Sequence, residues 1–334
     1  MLRGALLGVG NVAVKGHLPG WRDRPEATLK AAADTSENGK AAFLTAFPQA
    51  RWYRSAEDLL TSEELDFVDV ATPPAAHAPL IRAALERSVH VLCEKPLVLS
   101  RAELAPLAAL ALEKGRALVT VHNWKHAPAL AKLTQLVREG AVGKVRRCRW
   151  ETLRTKPAAA AGESGNWRVD SAHGGGILMD HGWHALYVLA GWLGFEARSV
   201  RAELLTRKHP TFTLEDTAMV TLTYPSATAE ILLTWAATER ANRVAFEGTR
   251  GRLALDGGRV TLDAGGAPRS WSLPSVAEGR HHPEWFGGVL EDFFAEVADP
   301  GRRGHNLDEA AFCATVLALA VESSRRNGEA LSLP

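Results

Sequence analysis

Apolar positions along the first third of the chain come as short runs separated by stretches of helical periodicity. The runs Ala5–Leu7, Ala27–Ala33, Phe67–Ala71, Val89–Cys93 and Ala117–Val121 have the length and composition of buried strands. Between them the helical stretches have readable starts. Ser55 followed by Asp58, and Ser100 followed by Glu103, fit the capping-box spacing, in which hydroxyl and carboxylate each accept one orphan backbone N–H. Strand–helix alternation at this spacing predicts parallel strands with right-handed crossovers, a doubly wound α/β domain over residues 1–122.

Past residue 122 the period changes. A helical stretch at 128–139 precedes alternating runs at Val145–Leu153, Val200–Leu204, Ala218–Tyr224, Ala227–Trp235, Val244–Glu247 and Arg252–Leu255. In the third of these, Ala218, Val220, Leu222 and Tyr224 face one way, and Thr217, Thr221 and Thr223 the other. Consecutive runs of this kind with short turns predict an antiparallel sheet with one buried face. Its Arg/Thr/Glu face is either solvated or a contact between copies of the chain. A closing helix over 308–327 begins with acids, ends in Arg325 and Arg326, and has Gly328 as its cap. These elements predict a second α/β domain over residues 123–334.

Charge and cysteine content narrow the class without naming a chemistry. Lys plus Arg is 39 against 38 for Asp plus Glu, so no long-range field recruits nucleic acid or an anionic membrane. The longest apolar runs fall well short of the ~20 residues that span a bilayer. The first residues run directly into a glycine turn, leaving no room for a signal peptide. Cys93, Cys148 and Cys313 stand far apart, with neither metal-site spacing nor the count of a disulfide framework. The expectation is a soluble, cytoplasmic protein with buried thiols.

The first strand ends in Gly8-Val9-Gly10-Asn11-Val12-Ala13, a G-x-G-x-x-A pattern that opens a helix. Gly8 permits a tight turn, Gly10 lets a pyrophosphate approach the backbone, and Ala13 allows close helix–strand packing. The pattern alone also describes a plain βα turn. Asp34 ends the second strand, where a carboxylate accepts hydrogen bonds from an adenosine ribose or simply caps a strand. A carboxylate there repels the 2′-phosphate of NADP, and only Thr35 and Ser36 follow it. This favours NAD over NADP unless an arginine arrives from elsewhere in the fold.

Two further places carry chemistry. Lys95, in Cys93-Glu94-Lys95-Pro96, lies at the carboxyl end of a parallel strand, the edge at which doubly wound sheets bind ligands. There it can exchange a proton with a substrate hydroxyl, or simply be exposed. In the run from Gly174 to His184, Asp180 and His184 stand at i and i+4, so on a helix the carboxylate can orient the imidazole for acid–base work. The rival readings are a surface ion pair and a metal site. The metal reading lacks an evident third ligand nearby, and His181 points elsewhere on the helix.

Taken together these motifs resemble the glucose–fructose oxidoreductase / inositol dehydrogenase / MocA (Gfo/Idh/MocA) family. The resemblance runs through Gly8-x-Gly10-x-x-Ala13, Asp34, Thr72-Pro73-x-x-x-His77, Glu94-Lys95-Pro96, Asn123-x-Lys125-x-x-Pro128, Trp167-Arg168 and Gly174-Gly-Gly-x-x-x-Asp180-x-x-x-His184. Glu215-Asp216 and residues 293–296 echo later family segments more loosely. The resemblance implies a Rossmann domain followed by an α/β domain whose large, mostly antiparallel sheet forms the contact of a homo-oligomer, a dimer or tetramer. It implies NAD or NADP as cofactor, and hydride transfer at a secondary alcohol of a sugar, cyclitol or related polyol. By the same resemblance Lys95, Asp180 and His184 form the catalytic trio. Gly8, Gly10, Asn11, Val12, Asp34, Thr72, Pro73, His77, Glu94, Lys95, Asn123, Trp167 and Arg168 line the cofactor, with no metal. A cis bond before Pro96 is also implied. Lys125 departs from the family's usual Arg and receives no role.

Two alternatives share these motifs: an NAD-dependent glycoside hydrolase that uses the nicotinamide transiently, and a catalytically silent NAD(P)-binding regulator. The catalytic trio argues against the regulator. Trp124, Trp167 and Trp183 near the motifs suit either sugar stacking or ordinary core. The segment 156–165, expected to face substrate, carries no legible preference.

Overall fold

The computed structural model of the 334-residue chain describes residues 1–158, 166–170, 173–279 and 281–334. Most of the segment expected to face substrate, 159–165, lies outside the described residues. Two compact units are present: one takes in Met1–Asn123 and 281–311, the other 124–158, Asn166–Gly279 and Phe312–Pro334.

The first unit contains a six-stranded sheet of β1 (Leu2–Leu7), β2 (Ala27–Ala33), β3 (Arg51–Tyr53), β4 (Phe67–Val70), β5 (His90–Cys93) and β6 (Leu118–Thr120). The strands run in the order β3-β2-β1-β4-β5-β6 and every neighbouring pair is parallel. This is the doubly wound Rossmann order, with its reversal between β1 and β4, the crevice at which such sheets take a ligand. β4 and β5 are buried along their whole length, which explains why they read as short apolar runs without alternation. Strand β3 escaped that reading because it is three residues of half-exposed edge. The reciprocal box forms at Ser100 and Glu103, while at Ser55 the hydroxyl half is present. Ser55 Oγ accepts the N–H groups of Glu57 and Asp58, and the Glu103 carboxylate accepts those of Leu99 and Ser100 at 3.0 Å each.

The core of this unit requires a segment from late in the chain. Trp21 stacks on Phe67 at 4.7 Å and meets Phe286 and Phe293 edge-on. Those two phenylalanines belong to the helix Pro283–Ala298, which buries Trp285, Phe286, Val289, Leu290 and Phe293 along one stripe. The expected second domain, 123–334, is therefore interrupted, since residues 281–311 pack with the first unit. An apolar stripe on a helix shows in sequence that it must be covered, but not by which sheet.

The second unit contains a nine-stranded sheet. Its strands are β7 (Val145–Leu153), β8 (Ser199–Leu205), β9 (Thr217–Thr223), β10 (Thr228–Thr234), β11 (Ala241–Gly248), β12 (Arg252–Asp256), β13 (Arg259–Asp263), β14 (Arg269–Ser272) and β15 (Leu331–Ser332). They run in the order β14-β13-β12-β11-β7-β10-β9-β8-β15, antiparallel throughout except between β7 and β10. Strands β13 and β14, between glycine turns, and the two-residue β15 were not expected. Cys148, Trp150 and Thr152 of β7 are buried while Arg147 and Arg149 point outward, where both pair with Glu230 of β10. Thr217, expected on the Thr221/Thr223 face of β9, is fully buried, its hydroxyl 2.8 Å from that of Thr234 across the ladder. The closing helix spans His305–Arg325, and Gly328 N–H donates to Ser323 O at 2.9 Å, with φ +78° at the glycine.

Phe293 is fully buried against Trp21 and Phe67, so Phe293→Ala should destabilise the first unit by about 3–5 kcal/mol. Urea unfolding followed by tryptophan emission measures the loss. A shift smaller than about 1 kcal/mol would show that this helix does not complete the core.

Candidate active site

In the first unit the predicted cofactor residues gather at the carboxyl ends of β1, β2, β4, β5 and β6. Gly8 takes φ +89°, and a Cβ there would lie 2.8 Å from the backbone of Ala71 and Thr72, so this turn admits only glycine. At Gly10 the opposite holds: a Cβ would meet nothing within 4 Å. Asn11 and Val12 open the helical segment, and Ala13 is fully buried, as close packing demands. Asp34 follows β2 directly. Its Oδ2 accepts the Val9 N–H at 2.6 Å and its Oδ1 the Ser36 N–H at 2.7 Å, so the carboxylate ties the glycine turn to the neighbouring strand end.

Two of the expected cofactor residues present buried polar atoms without partners. Thr72 Oγ1, after β4, and Asn123 Oδ1, after β6, are both enclosed and make no hydrogen bond. Leaving such groups unpaired costs free energy, so their natural complement is a bound polar ligand. With the open space at Gly10 they fit a dinucleotide held by the glycine turn, the helix start, Asp34, Thr72, Pro73 and Asn123. His77 is placed differently from expectation. It is fully buried, with Nδ1 2.8 Å from Pro96 O and Nε2 2.9 Å from Thr72 O, and it links the two turns behind the ligand residues. Lys95 is half-buried, the Lys95–Pro96 bond is cis, and Glu94 Oε2 accepts the Lys95 backbone N–H at 2.9 Å.

In the second unit the Asp180–His184 pair sits where a π-helical turn, Leu178–Gly182, runs into the helix Trp183–Leu193. The expected α-helical i, i+4 face therefore crosses a widened turn, a distortion often found at functional sites. The preceding glycines explain how the turn is held. A Cβ on Gly175 would lie 2.5 Å from Arg168 O and 2.6 Å from Trp167 O, and one on Gly176 (φ +102°) would strike the Glu215 carboxylate. Glu215 Oε1 in turn accepts the Leu178 N–H at 3.0 Å and so caps the π turn. Burial raises the Glu215 pKa above its ordinary value.

Asp180 is 3% exposed and accepts Arg168 Nε–H at 3.1 Å, with His181 Nε2 at 3.7 Å. The Arg168 guanidinium also lies over the Trp167 ring, 4.7 Å from its centroid. His184 has its Nδ1 2.8 Å from the Tyr187 hydroxyl and its ring stacked on Trp124 at 4.4 Å. The Tyr187 oxygen accepts the Trp124 N–H at 2.9 Å, so one small network sets the angle of the imidazole. Of the three tryptophans left open by sequence, Trp124 supports His184, Trp167 supports Arg168, and Trp183 is fully buried. Arg154, at the end of β7, donates to the carbonyls of Leu153 and Ala241 and to Asn242 Oδ1. Burial and neighbouring Arg240 pull its pKa down to about 9, opposed by Asp180. Sequence reasoning missed Tyr187 and Arg154, and it placed Glu215 in a loosely resembling segment without giving it a role. Only Tyr187, at i+3 from His184, left a trace in the spacing. Among the described residues no cluster of His, Cys, Asp or Glu could hold a metal ion.

Residues 2–122 match the oxidoreductase family with an NAD-binding Rossmann fold, and residues 130–254 match the Gfo/Idh/MocA C-terminal domain. The chain belongs to the Gfo/Idh/MocA family. This family member is similar to the D-apiose dehydrogenase of Paraburkholderia graminis, with 28% identity over 81% of this chain and 74% of that protein. It is also similar to the dTDP-3,4-didehydro-2,6-dideoxy-alpha-D-glucose 3-reductase of Streptomyces antibioticus, with 28% identity over 90% of each chain. Among solved structures, GenD2 from gentamicin A biosynthesis in complex with NAD superposes with a TM-score of 0.84. The two are 25% identical over 100% of this chain and 96% of that one. The Gfo/Idh/MocA chain described here is an NAD(P)-dependent oxidoreductase. Among its described residues no helix is long and apolar enough to cross a membrane.

The two glycines of the turn should separate folding from binding. Gly8→Ala should lower stability by about 1–3 kcal/mol through its strained φ and backbone contact. Gly10→Ala should leave the melting temperature unchanged yet weaken NAD binding by about tenfold, because its Cβ fills only the space a pyrophosphate needs. Thermal melting and fluorescence titration with NAD read the two effects. Unaltered affinity in Gly10→Ala would refute this placement of the cofactor.

Proposed function

We propose that this oxidoreductase reversibly oxidises a secondary alcohol of a sugar, cyclitol or related polyol, with NAD as its preferred cofactor. The observation that carries the reading is the buried His184 imidazole, aligned by Tyr187 and Trp124 in the same turn as Asp180, which accepts a hydrogen bond from Arg168. The sugar dehydrogenase and reductase names of the relatives support the substrate class. Proton exchange with the substrate hydroxyl is assigned to the His184 imidazole, whose Nδ1 meets the Tyr187 hydroxyl. The Asp180 carboxylate stabilises the positive ring that results. The Lys95 ammonium stabilises charge developing on the carbinol oxygen. A bound nicotinamide would supply the hydride acceptor for the carbinol carbon.

The cofactor preference rests on Asp34 and its neighbours. The nearby Arg54 donates to Thr35 O at 3.4 Å and is ion-paired with Glu37, so its charge is already committed, and the Asp34 carboxylate decides which ribose is accepted. The three cysteines are all buried free thiols, which fits a reducing compartment such as the cytoplasm.

A panel of polyols, cyclitols and sugar acids assayed with each cofactor tests the reading, and no NAD(P)-linked oxidation of any member would refute it. Lys95→Ala and His184→Ala should each lower kcat by about 10²- to 10⁴-fold and change the NAD dissociation constant only a few-fold. Retention of wild-type turnover by either variant would remove that residue from the mechanism. Asp34→Ser should weaken NAD about tenfold and NADP far less, because it removes ribose acceptors and phosphate repulsion together. Equal losses with both cofactors would show that Asp34 only braces the glycine turn.

A further inference from the structure

His17 ends the π-helical turn Ala13–His17 that follows the glycine turn, and it is 1% exposed. Both of its ring nitrogens meet carboxylates: Nδ1 lies 2.8 Å from Asp69 Oδ2, and Nε2 lies 3.1 Å from Glu94 Oε1. A neutral imidazole donates through one nitrogen only, so this geometry calls for the imidazolium. Burial pushes the ring towards neutrality, but Asp69 and Glu94 outweigh it and raise its pKa to about 10. Burial would likewise raise the Glu94 pKa, yet His17 and Lys95 hold it below the ordinary value.

The charges around this ring form a chain that ends at the lysine. Asp69 stands fully buried within β4, and the same Oδ2 that faces His17 also accepts Trp21 Nε1–H at 2.7 Å. Asp69 Oδ1 is enclosed with no hydrogen-bond partner. Phe286 lies over the imidazole at 4.2 Å and shuts out water. Glu94 spends one oxygen on His17 and the other on the backbone N–H of Lys95, so the plane of its carboxylate is held at both ends. His77, Cys93 and Lys95 are the further titratable groups within electrostatic reach of Glu94. A buried ionic triad with a bare carboxylate oxygen is a costly way to gain stability, since well-packed apolar side chains do as well or better. It is a good way to fix one orientation.

We propose that His17 is a positioning residue of the oxidoreductase reaction, which fixes the backbone of Lys95 at the end of β5 through the Glu94 carboxylate. This inference rests on the role given to Lys95 above, and its test separates the two. In His17→Gln the side chain is uncharged and both of its N–H groups sit on one nitrogen, so it does not reproduce the two separate ring donors that meet Asp69 and Glu94. The Lys95 amide should then exchange with solvent at least about tenfold faster, while the Val119 amide in β6 keeps its rate. Turnover should fall about 10- to 100-fold in the wild-type background but less than about twofold in Lys95→Ala, where nothing remains to be positioned. A merely structural histidine would lower turnover by one factor in both backgrounds and leave the Lys95 amide no less protected than Val119, and that result would overturn the proposal. Wild-type turnover in Lys95→Ala would instead overturn the catalytic role of Lys95, and amide exchange would still decide the positioning. If His17→Gln does not fold, the ¹⁵N imidazole spectrum of the wild-type protein at about pH 8 decides. Two protonated ring nitrogens support the chain of contacts, and a neutral ring breaks it.

Discussion

A full negative charge inside a parallel strand is the constraint around which the first unit is arranged. Asp69 interrupts the buried run Phe67–Val70, where desolvation would cost several kcal/mol without compensation. Compensation comes from the segment after the glycine turn, which supplies His17 and Trp21 to the same carboxylate oxygen. Those two rings then need an apolar cover, and Phe286 and Phe293 provide it from a helix that lies late in the chain. The contacts continue from His17 to Glu94 and from Glu94 to the backbone N–H of Lys95. One buried acid thus links the fold of the glycine-turn segment, the return of residues 281–311 and the turn that carries a candidate catalytic lysine.

The second unit solves a different problem, that of presenting an imidazole at a fixed angle from a nearly wholly buried helix. Its means are steric. Glycines at 175 and 176 allow the 167–168 turn and the Glu215 carboxylate to press against the chain where a side chain would block them. The π turn widens the helix just where Asp180 projects, and Tyr187 and Trp124 hold the His184 ring from the side and the face. Arg168 donates to Asp180 Oδ2 at 3.1 Å. The candidate pair is therefore held by Arg168, Tyr187 and Trp124, of which Arg168 belonged to a motif legible beforehand.

What could be read in the sequence followed from short-range rules. The capping residues Ser55 and Glu103, the alternating strand β7 and the Gly328 cap all form where local spacing places them, because each depends on backbone groups within a few residues. Elements below the length of a period, such as β3 and β15, left no trace. Thr217 broke the alternation of β9 because a partner hydroxyl across the ladder satisfied it in the interior. His77 had the right neighbourhood and a different task, since both of its ring nitrogens meet backbone carbonyls that no motif describes.

Sequence by itself was enough for the class of the molecule: a doubly wound domain, a mostly antiparallel sheet, a glycine turn before a strand-end acid, and a lysine, an aspartate and a histidine in family order. Periodicity and motif spacing are properties of neighbouring residues, and the backbone obeys them locally. Only the tertiary structure decided which late helix completes the first core, that Asp69 and Glu94 share one imidazole, and that Tyr187 rather than Asp180 engages His184 Nδ1. Buried polar groups choose partners by distance in space, and such partners lie as far apart along the chain as Thr120 and Asn306, 186 residues. Such a pairing leaves no period to read.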